Sequence, residues 1–236
     1  MKKFLTVFAL MLFTSGLYAQ DMFEFGIKGG LNLSGYLADD DLDLYQDNTA
    51  VRAGWNAGFF GIIRVSDNFA IQPEVLYSLQ GVNFVDTEIY VDYLYVDNFF
   101  TPDYVAPTVG SYGEIVAKEN LHYLNVPILA NFYLAPGLSL QIGPQFGFLM
   151  NATARFDTED DEVNNVFNDF EESNEITSSY NGFSMAAVAG LQLELPSDVA
   201  LGLRYNFGLN DILEDGDPDD IKLVNQVGQL YVGYAF

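Results

Sequence analysis

From Phe23 onward the chain returns repeatedly to segments in which every second side chain is apolar, the period of a β-strand with one greasy and one polar face. Eight such segments are predicted, at 23–34, 54–65, 69–84, 121–134, 138–151, 182–195, 199–209 and 223–236. In the first, Phe23, Phe25, Ile27, Leu31 and Leu33 share one face, and Glu24, Lys28, Asn32 and Ser34 the other. In the fifth, Leu140, Ile142, Phe146, Phe148 and Met150 oppose Ser139, Gln141, Gly143, Gln145 and Gly147. The second breaks the rule, because Phe60 and Ile62 fall on its polar face. Segments of about ten residues with this alternation, tilted as a barrel requires, cross about 25 Å of hydrocarbon.

The connections alternate as well. Three-residue turns, "SDN", "APG" and "PSD", join strands two to three, four to five and six to seven, while 35–53, 85–119, 152–181 and 210–222 are long. Short turns on one side and long loops on the other are the layout of an outer-membrane barrel. An open sheet edge in lipid would strand unpaired N–H and C=O groups at a cost of several kcal/mol each, so the sheet has to close. The expected fold is therefore all-β, an eight-stranded antiparallel up-and-down transmembrane β-barrel over residues 20–236. The last strand pairs with the first, Tyr234 and Phe236 join an interfacial aromatic girdle, and both termini are periplasmic. A crossing by residues 88–107 would raise the strand number to ten; Asp92 and Asp97 weigh against it.

Eight strands enclose a lumen only wide enough for side chains to fill. Inward glycines make room there for Glu24, Lys28, Arg64, Glu74, Glu194 and Arg204, three anions and three cations. Unpaired charge in so narrow a space is costly, so a mutually paired, structural polar core is expected. The alternative is an ion path or a catalytic pair.

Composition adds three constraints. There are 20 Phe, 15 Tyr and 21 Gly, which suits packed β-structure, and the absence of cysteine excludes disulfides and thiolate chemistry. No stretch after the first twenty residues has the length and apolarity of a membrane-spanning helix. The opening "MKKFLTVFALMLFTSGLYAQ" has Lys2 and Lys3, an apolar run from Phe4 to Phe13 and small residues near Ala19, the layout of a secretory signal peptide cleaved after about residue 19.

The formal net charge is -24, and most of the acid sits in the four long connections. Such a surface repels nucleic acid and suits divalent cations, lipopolysaccharide bridged by them, or a basic protein partner; simple solvation of a charged loop is the plainer reading. "DGDPDD" places Asp215, Asp217, Asp219 and Asp220 at calcium-like spacing, without the sixth-position glycine and twelfth-position glutamate of an EF-hand loop. The second long connection mixes Tyr90, Tyr93, Tyr95, Phe99, Phe100 and Tyr104 with acids, a composition used by recognition surfaces and equally compatible with a simple hairpin extension. Catalysis has little support: the only histidine, His122, stands at the start of strand four with no evident serine partner. No cofactor and no enzymatic activity are expected.

"GIKGGLN", "QPEVLYSLQG", "LNVPILANF", "GPQFGF", "LRYNFGLNDI" and the terminal "YVGYAF", in this order and spacing, resemble the PorT-like, or porin-family, outer-membrane β-barrel proteins. The resemblance implies an eight-stranded barrel of the OmpA or OmpX type in a Gram-negative outer membrane. It also implies charge at Lys28, Glu74 and Arg204; Asn125 and Asn131 stand where it implies an acidic and a basic residue. The expected role is surface interaction or envelope integrity through acidic, aromatic extracellular loops. The alternatives are a small-solute porin and an accessory subunit of a secretion or uptake machine.

Overall fold

A computed structural model describes residues 23–38, 49–90, 112–158, 174–213 and 223–236. Residues 1–19, the aspartates at 215, 217, 219 and 220, and Tyr93, Tyr95, Phe99, Phe100 and Tyr104 lie outside these; Tyr90 is the last residue of a strand.

The alternating segments form β1 (Phe23–Ala38), β2 (Thr49–Ser66), β3 (Phe69–Gln80), β4 (Val82–Tyr90), β5 (Tyr112–Ala135), β6 (Leu138–Thr158), β7 (Asn174–Glu175), β8 (Phe183–Glu194), β9 (Val199–Gly208) and β10 (Leu223–Ala235). These are eight staves. β3 and β4 are one stave interrupted at Gly81, and β7 is a two-residue strap on the free edge of β6. The pairing runs β1, β2, β3 with β4, β5, β6, β8, β9, β10 and back to β1, every neighbour antiparallel. Closure is made by a long register, Gly26 opposite Ala235 through Ala38 opposite Leu223, and Phe236 N–H adds a bond to Phe25 O at 2.8 Å.

The walls are taller than the alternation suggested. Parts of the predicted loops 85–119 and 152–181 are strand: β4 reaches Tyr90, β5 starts at Tyr112 and runs 24 residues, and β6 reaches Thr158. The alternation is hard to follow there because the registers shift at Phe84/Thr87 and His122/Tyr123, and the second shift, a bulge on β6, swaps the two faces of that strand. After the second, Ala152 and Ala154 point inward although Phe148 and Met150 point out.

The outside is apolar around the whole circuit, with Phe25, Leu31, Phe59, Val75, Ile128, Ile142, Leu191, Leu203 and Leu230 all exposed. A soluble barrel would put these inside. Phe60 and Ile62, the exceptions in β2, are lumen residues, 5% and 3% exposed, packed with Ala70 near the short-turn end of the barrel.

One seam in the wall is closed by side chains instead of backbone. Between Val51 opposite Val82 and Asn56 opposite Ser78, the ladder joining β2 to β4 and β3 has no paired residues. β1 supplies the missing partners from inside. Asn32 Nδ2 donates to Trp55 O at 3.0 Å and Leu79 O at 2.8 Å, and Ser34 Oγ donates to Gly81 O at 2.8 Å and accepts from Gly81 N–H at 3.0 Å. At this depth no water offers replacement bonds. Asn32→Leu is expected to lower stability by about 2–4 kcal/mol, the cost of two orphaned carbonyls, and Ser78→Ala by much less. Urea unfolding in lipid vesicles, followed by Trp55 fluorescence, measures both.

Candidate functional site

The lumen holds the candidate site, and its side chains lie in layers. At the short-turn end, Arg64 donates to both oxygens of Glu24 (2.8 and 3.2 Å) and to Glu194 (3.2 Å), and Tyr133 OH donates to Glu194 at 2.9 Å. The guanidinium also faces the Tyr133 ring, 5.3 Å from its centroid.

Mid-barrel, Glu74 is the hub. Lys28 Nζ donates to both its oxygens (3.2 and 3.0 Å), Arg204 donates to both through Nη1 and Nη2 (2.8 Å each), and Gln72 donates at 2.7 Å. Two cations and one carboxylate would leave an excess positive charge in a closed space. Tyr231 offsets part of it: Lys28 Nζ sits 3.6 Å and the Arg204 guanidinium 4.5 Å from its ring centroid, the geometry of a cation–π contact. The ring fits because Gly202 lies beneath it; a Cβ there would meet Tyr231 at 2.0 Å.

The structure brings the six charged residues into two clusters and bridges them by glutamines. Gln192 donates to Glu194 (3.1 Å), Gln141 donates to Gln192 (3.1 Å), and Arg204 Nε donates to Gln141 (2.7 Å). Tyr231 OH lies 2.8 and 2.9 Å from the side-chain oxygens of Gln141 and Gln192, which share its one proton. Asn131, where the family resemblance implied a basic residue, donates to Gln72 at 2.6 Å. Asn125, where it implied an acid, is buried beside Gly147. Neutral amides thus line the path between the charges.

Above the hub lies an amide layer, in which Asn56 and Gln229 donate to Asn32 (2.6 and 3.1 Å) and Asn225 donates to Gln80. At the long-loop end, residues 174–180 and 212 lie over the lumen as a cap. β7 pairs with Thr153 and Ala154, Ile176 N–H bonds Ala152 O at 2.9 Å, a single 3₁₀ turn spans Thr177–Ser179, and Tyr180 bridges to Leu213. This lays Ile176, Tyr180 and Ile212 over Leu121, Tyr123, Ala152, Ala154 and Leu223 as one apolar cluster. Buried among them is Glu119, 3% exposed, accepting from Tyr36 OH at 3.0 Å and Tyr180 OH at 2.5 Å.

Glu119 corrects its assignment to an acidic outer loop. Counting back by two from Tyr123 and Leu121 puts it on the inward face, a signal present in the sequence once β5 is extended. His122 is also not partnerless: Tyr77 OH lies 2.7 Å from its Nδ1 on the lipid side, and Tyr77 in turn lies 5.4 Å from Trp55, ring to ring. No serine is part of that contact. Among the described residues no group of three or more His, Cys, Asp or Glu is placed to hold a metal.

Burial separates the clusters energetically. Lys28, Arg204 and Glu74 side chains are at most 1% exposed, whereas Arg64 and Glu24 are 33% and 35% exposed. Removing the partner of a buried charge costs about 3–5 kcal/mol, and an exposed pair contributes about 0–1 kcal/mol. Glu74→Gln is therefore expected to destabilise the barrel by at least 2 kcal/mol more than Glu24→Gln, on the order of those ranges, in the same urea titration in vesicles.

The family comparison agrees with this architecture. A family model described as an outer membrane protein beta-barrel domain matches residues 18–214. No curated protein matches the sequence. Among solved structures, the chain is similar to Ail, the attachment invasion locus protein of Yersinia pestis, crystallised with the heparin analogue sucrose octasulfate, at 16% identity and a TM-score of 0.43 over 91% of this chain and 99% of that one. It is also similar to Neisserial surface protein A, at 11% identity and a TM-score of 0.46 over 90% and 97%. OprG from Pseudomonas aeruginosa gives 11%, 0.36, and 90% and 95%.

Proposed function

This chain belongs to the outer membrane protein beta-barrel domain family, and from that premise we propose that it is a non-conducting barrel whose outer connections serve surface interaction or envelope integrity. Residues 1–19 act as a cleaved export signal, and both chain ends and the short turns face the periplasm. The long, acidic, aromatic connections face outward, in contact with lipopolysaccharide and with a protein partner. It is not an enzyme and uses no cofactor.

What supports this reading is the bonding of side chains across the lumen. Four layers of side chains cross it in succession: the Glu24–Arg64–Glu194 cluster, the Glu74 hub, the Asn32–Asn56–Gln229 amides, and the apolar cap with Glu119. A hydrated ion would have to break buried, charge-assisted bonds at the hub and then cross an apolar plug, both unfavourable in a low-dielectric interior. Against catalysis stands the engagement of each buried charge among the described residues, Lys28, Glu74, Glu119 and Arg204, with a structural partner; a reacting group needs a free lone pair or proton and room for a substrate.

In planar bilayers the purified barrel is expected to show no single-channel steps, and Glu74→Gln or Arg204→Gln to lose stability without gaining conductance. Conductance in the wild type would favour the porin alternative. The surface role is tested by recovering the tagged barrel from native membranes in mild detergent. A partner should accompany the wild type and be lost when Tyr93, Tyr95, Phe99, Phe100 and Tyr104 are changed to Ser, with heat-modifiable gel migration unchanged. A partner retained by that variant would move the interaction away from the second long connection.

A further inference from the structure

Lysine and arginine are scarce in this chain, nine against 33 acids, and their placement on the barrel is uneven. Lys2 and Lys3 belong to the opening segment, Lys28, Arg64 and Arg204 point into the lumen, and Lys222 lies outside the described residues. The three that remain, Arg52, Lys118 and Arg155, stand on β2, β5 and β6, with β4 between the first two. The far wall, β8, β9, β10 and β1, carries no outward lysine or arginine, since its only two, Arg204 and Lys28, are buried inward. Neighbouring residues fix the faces. Glu119 and Leu121 are buried inward, so Lys118, Asn120 and His122 point out; Ala154 is buried inward, so the exposed Arg155 points out. Lys118 lies directly opposite Arg155 and, on its other side, opposite Asn83. Arg52 reaches the same row, its Nη1 donating to Asn83 Oδ1 at 3.0 Å and its Nη2 to Asn120 Oδ1.

The row begins where the apolar exterior ends. Toward the short turns, β2 and β5 present Trp55 and His122, joined through Tyr77 as an aromatic patch, and β6 presents the exposed Phe148 and Met150. Aromatic residues of this kind mark the membrane interface, so the cations just beyond them stand at headgroup level. Two features favour an anion there. Like charges directly opposite on neighbouring strands repel, and an anion between Lys118 and Arg155 offsets that repulsion. Among the described residues the Arg52 guanidinium is held by two neutral amides, which orient its charge without cancelling it, and a fixed planar guanidinium suits a phosphate. We propose that the outer face of β2, β4, β5 and β6 at this height binds the phosphate headgroup of a membrane lipid, with the phosphate against Arg52, Lys118 and Arg155 and the acyl chains along Trp55, Tyr77 and Val75. In a chain of net charge -24, these are the described outward charges that attract such a headgroup. Which leaflet supplies the lipid rests on the reading that the long connections face outward, and that reading makes it the phosphate-bearing anchor of lipopolysaccharide.

Trp55 is the only tryptophan of the chain and reports the lipid beside the row. The test places the full folded barrel in phosphatidylcholine nanodiscs and replaces part of that lipid by brominated phosphatidate or, separately, by brominated phosphatidylcholine, with quenching of Trp55 as the readout. Phosphatidate, whose headgroup is a phosphomonoester, should be preferred at least about threefold. Arg52→Gln with Lys118→Gln and Arg155→Gln should remove the preference. Lys118→Gln with Arg155→Gln, which leaves the bonds of Arg52 in place, should lower it, both variants keeping heat-modifiable gel migration. Trp55→Phe with Tyr205→Trp moves the reporter to an outward position on the far wall and should show no preference. Millimolar inorganic phosphate should leave the Trp55 preference intact. Equal quenching by the two lipids, a preference retained without the three cations, the same preference in the Tyr205→Trp variant, or its loss to inorganic phosphate, the mark of a free-anion site, would each overturn the assignment. Nanodiscs present both leaflets alike, so an inverted barrel would leave these results unchanged and would show instead as short turns cut by protease on intact cells; the two readings therefore fail separately.

Discussion

Closure of the hydrogen-bond ladder governs everything else in this molecule. Hydrocarbon offers no partner to a backbone N–H or C=O, so a sheet that enters it must leave none unpaired. The β1–β10 register meets that demand over thirteen residue pairs. Where the ladder fails, between β2 and the β3–β4 stave, Asn32 and Ser34 reach across the lumen face to the same carbonyls the missing strand pairs would have used. Closure is thus enforced by side chains as well as by backbone.

Closing eight staves fixes the bore, and the bore dictates the chemistry of the interior. There is room for side chains and little else, so the charges that enter must satisfy one another. Glu74 does this with two cations and a tyrosine ring, at a depth where no solvent assists. The Glu24–Arg64–Glu194 cluster sits near the mouth, where water shares the work. Gln141 and Gln192 join the two, so the polar core is one network with a rigid, buried centre and a softer end. Networks of this kind are stable when complete and costly when one member is removed.

The ends of the barrel then differ because their connections differ. Long connections have chain to spare, and residues 174–181 fold back over the opening with Ile176 and Tyr180 pointing down into it. Three-residue turns cannot reach across, and the short-turn mouth stays concave, shaped by Phe60, Ile62 and the carboxylates around them. The family assignment fits a structural wall, and the two ends of that wall differ in what covers them.

Strand number, closure and the sense of each face were legible in the sequence, because a period of two records which solvent each side chain meets and the alternation of short and long connections records which end it turns at. The six inward charges were legible for the same reason, as positions on the polar face. Who pairs with whom was not: Glu74 meets Arg204 across 130 residues of chain, and the stagger that puts them at one depth is a property of the closed sheet. The cap and the Asn32 seam were likewise hidden, and Glu119 was legible only once β5 is extended back past Leu121. The bulge opposite His122/Tyr123 resets the face of β6 between Met150 and Ala152, and only the tertiary structure decides where a two-residue period is allowed to slip.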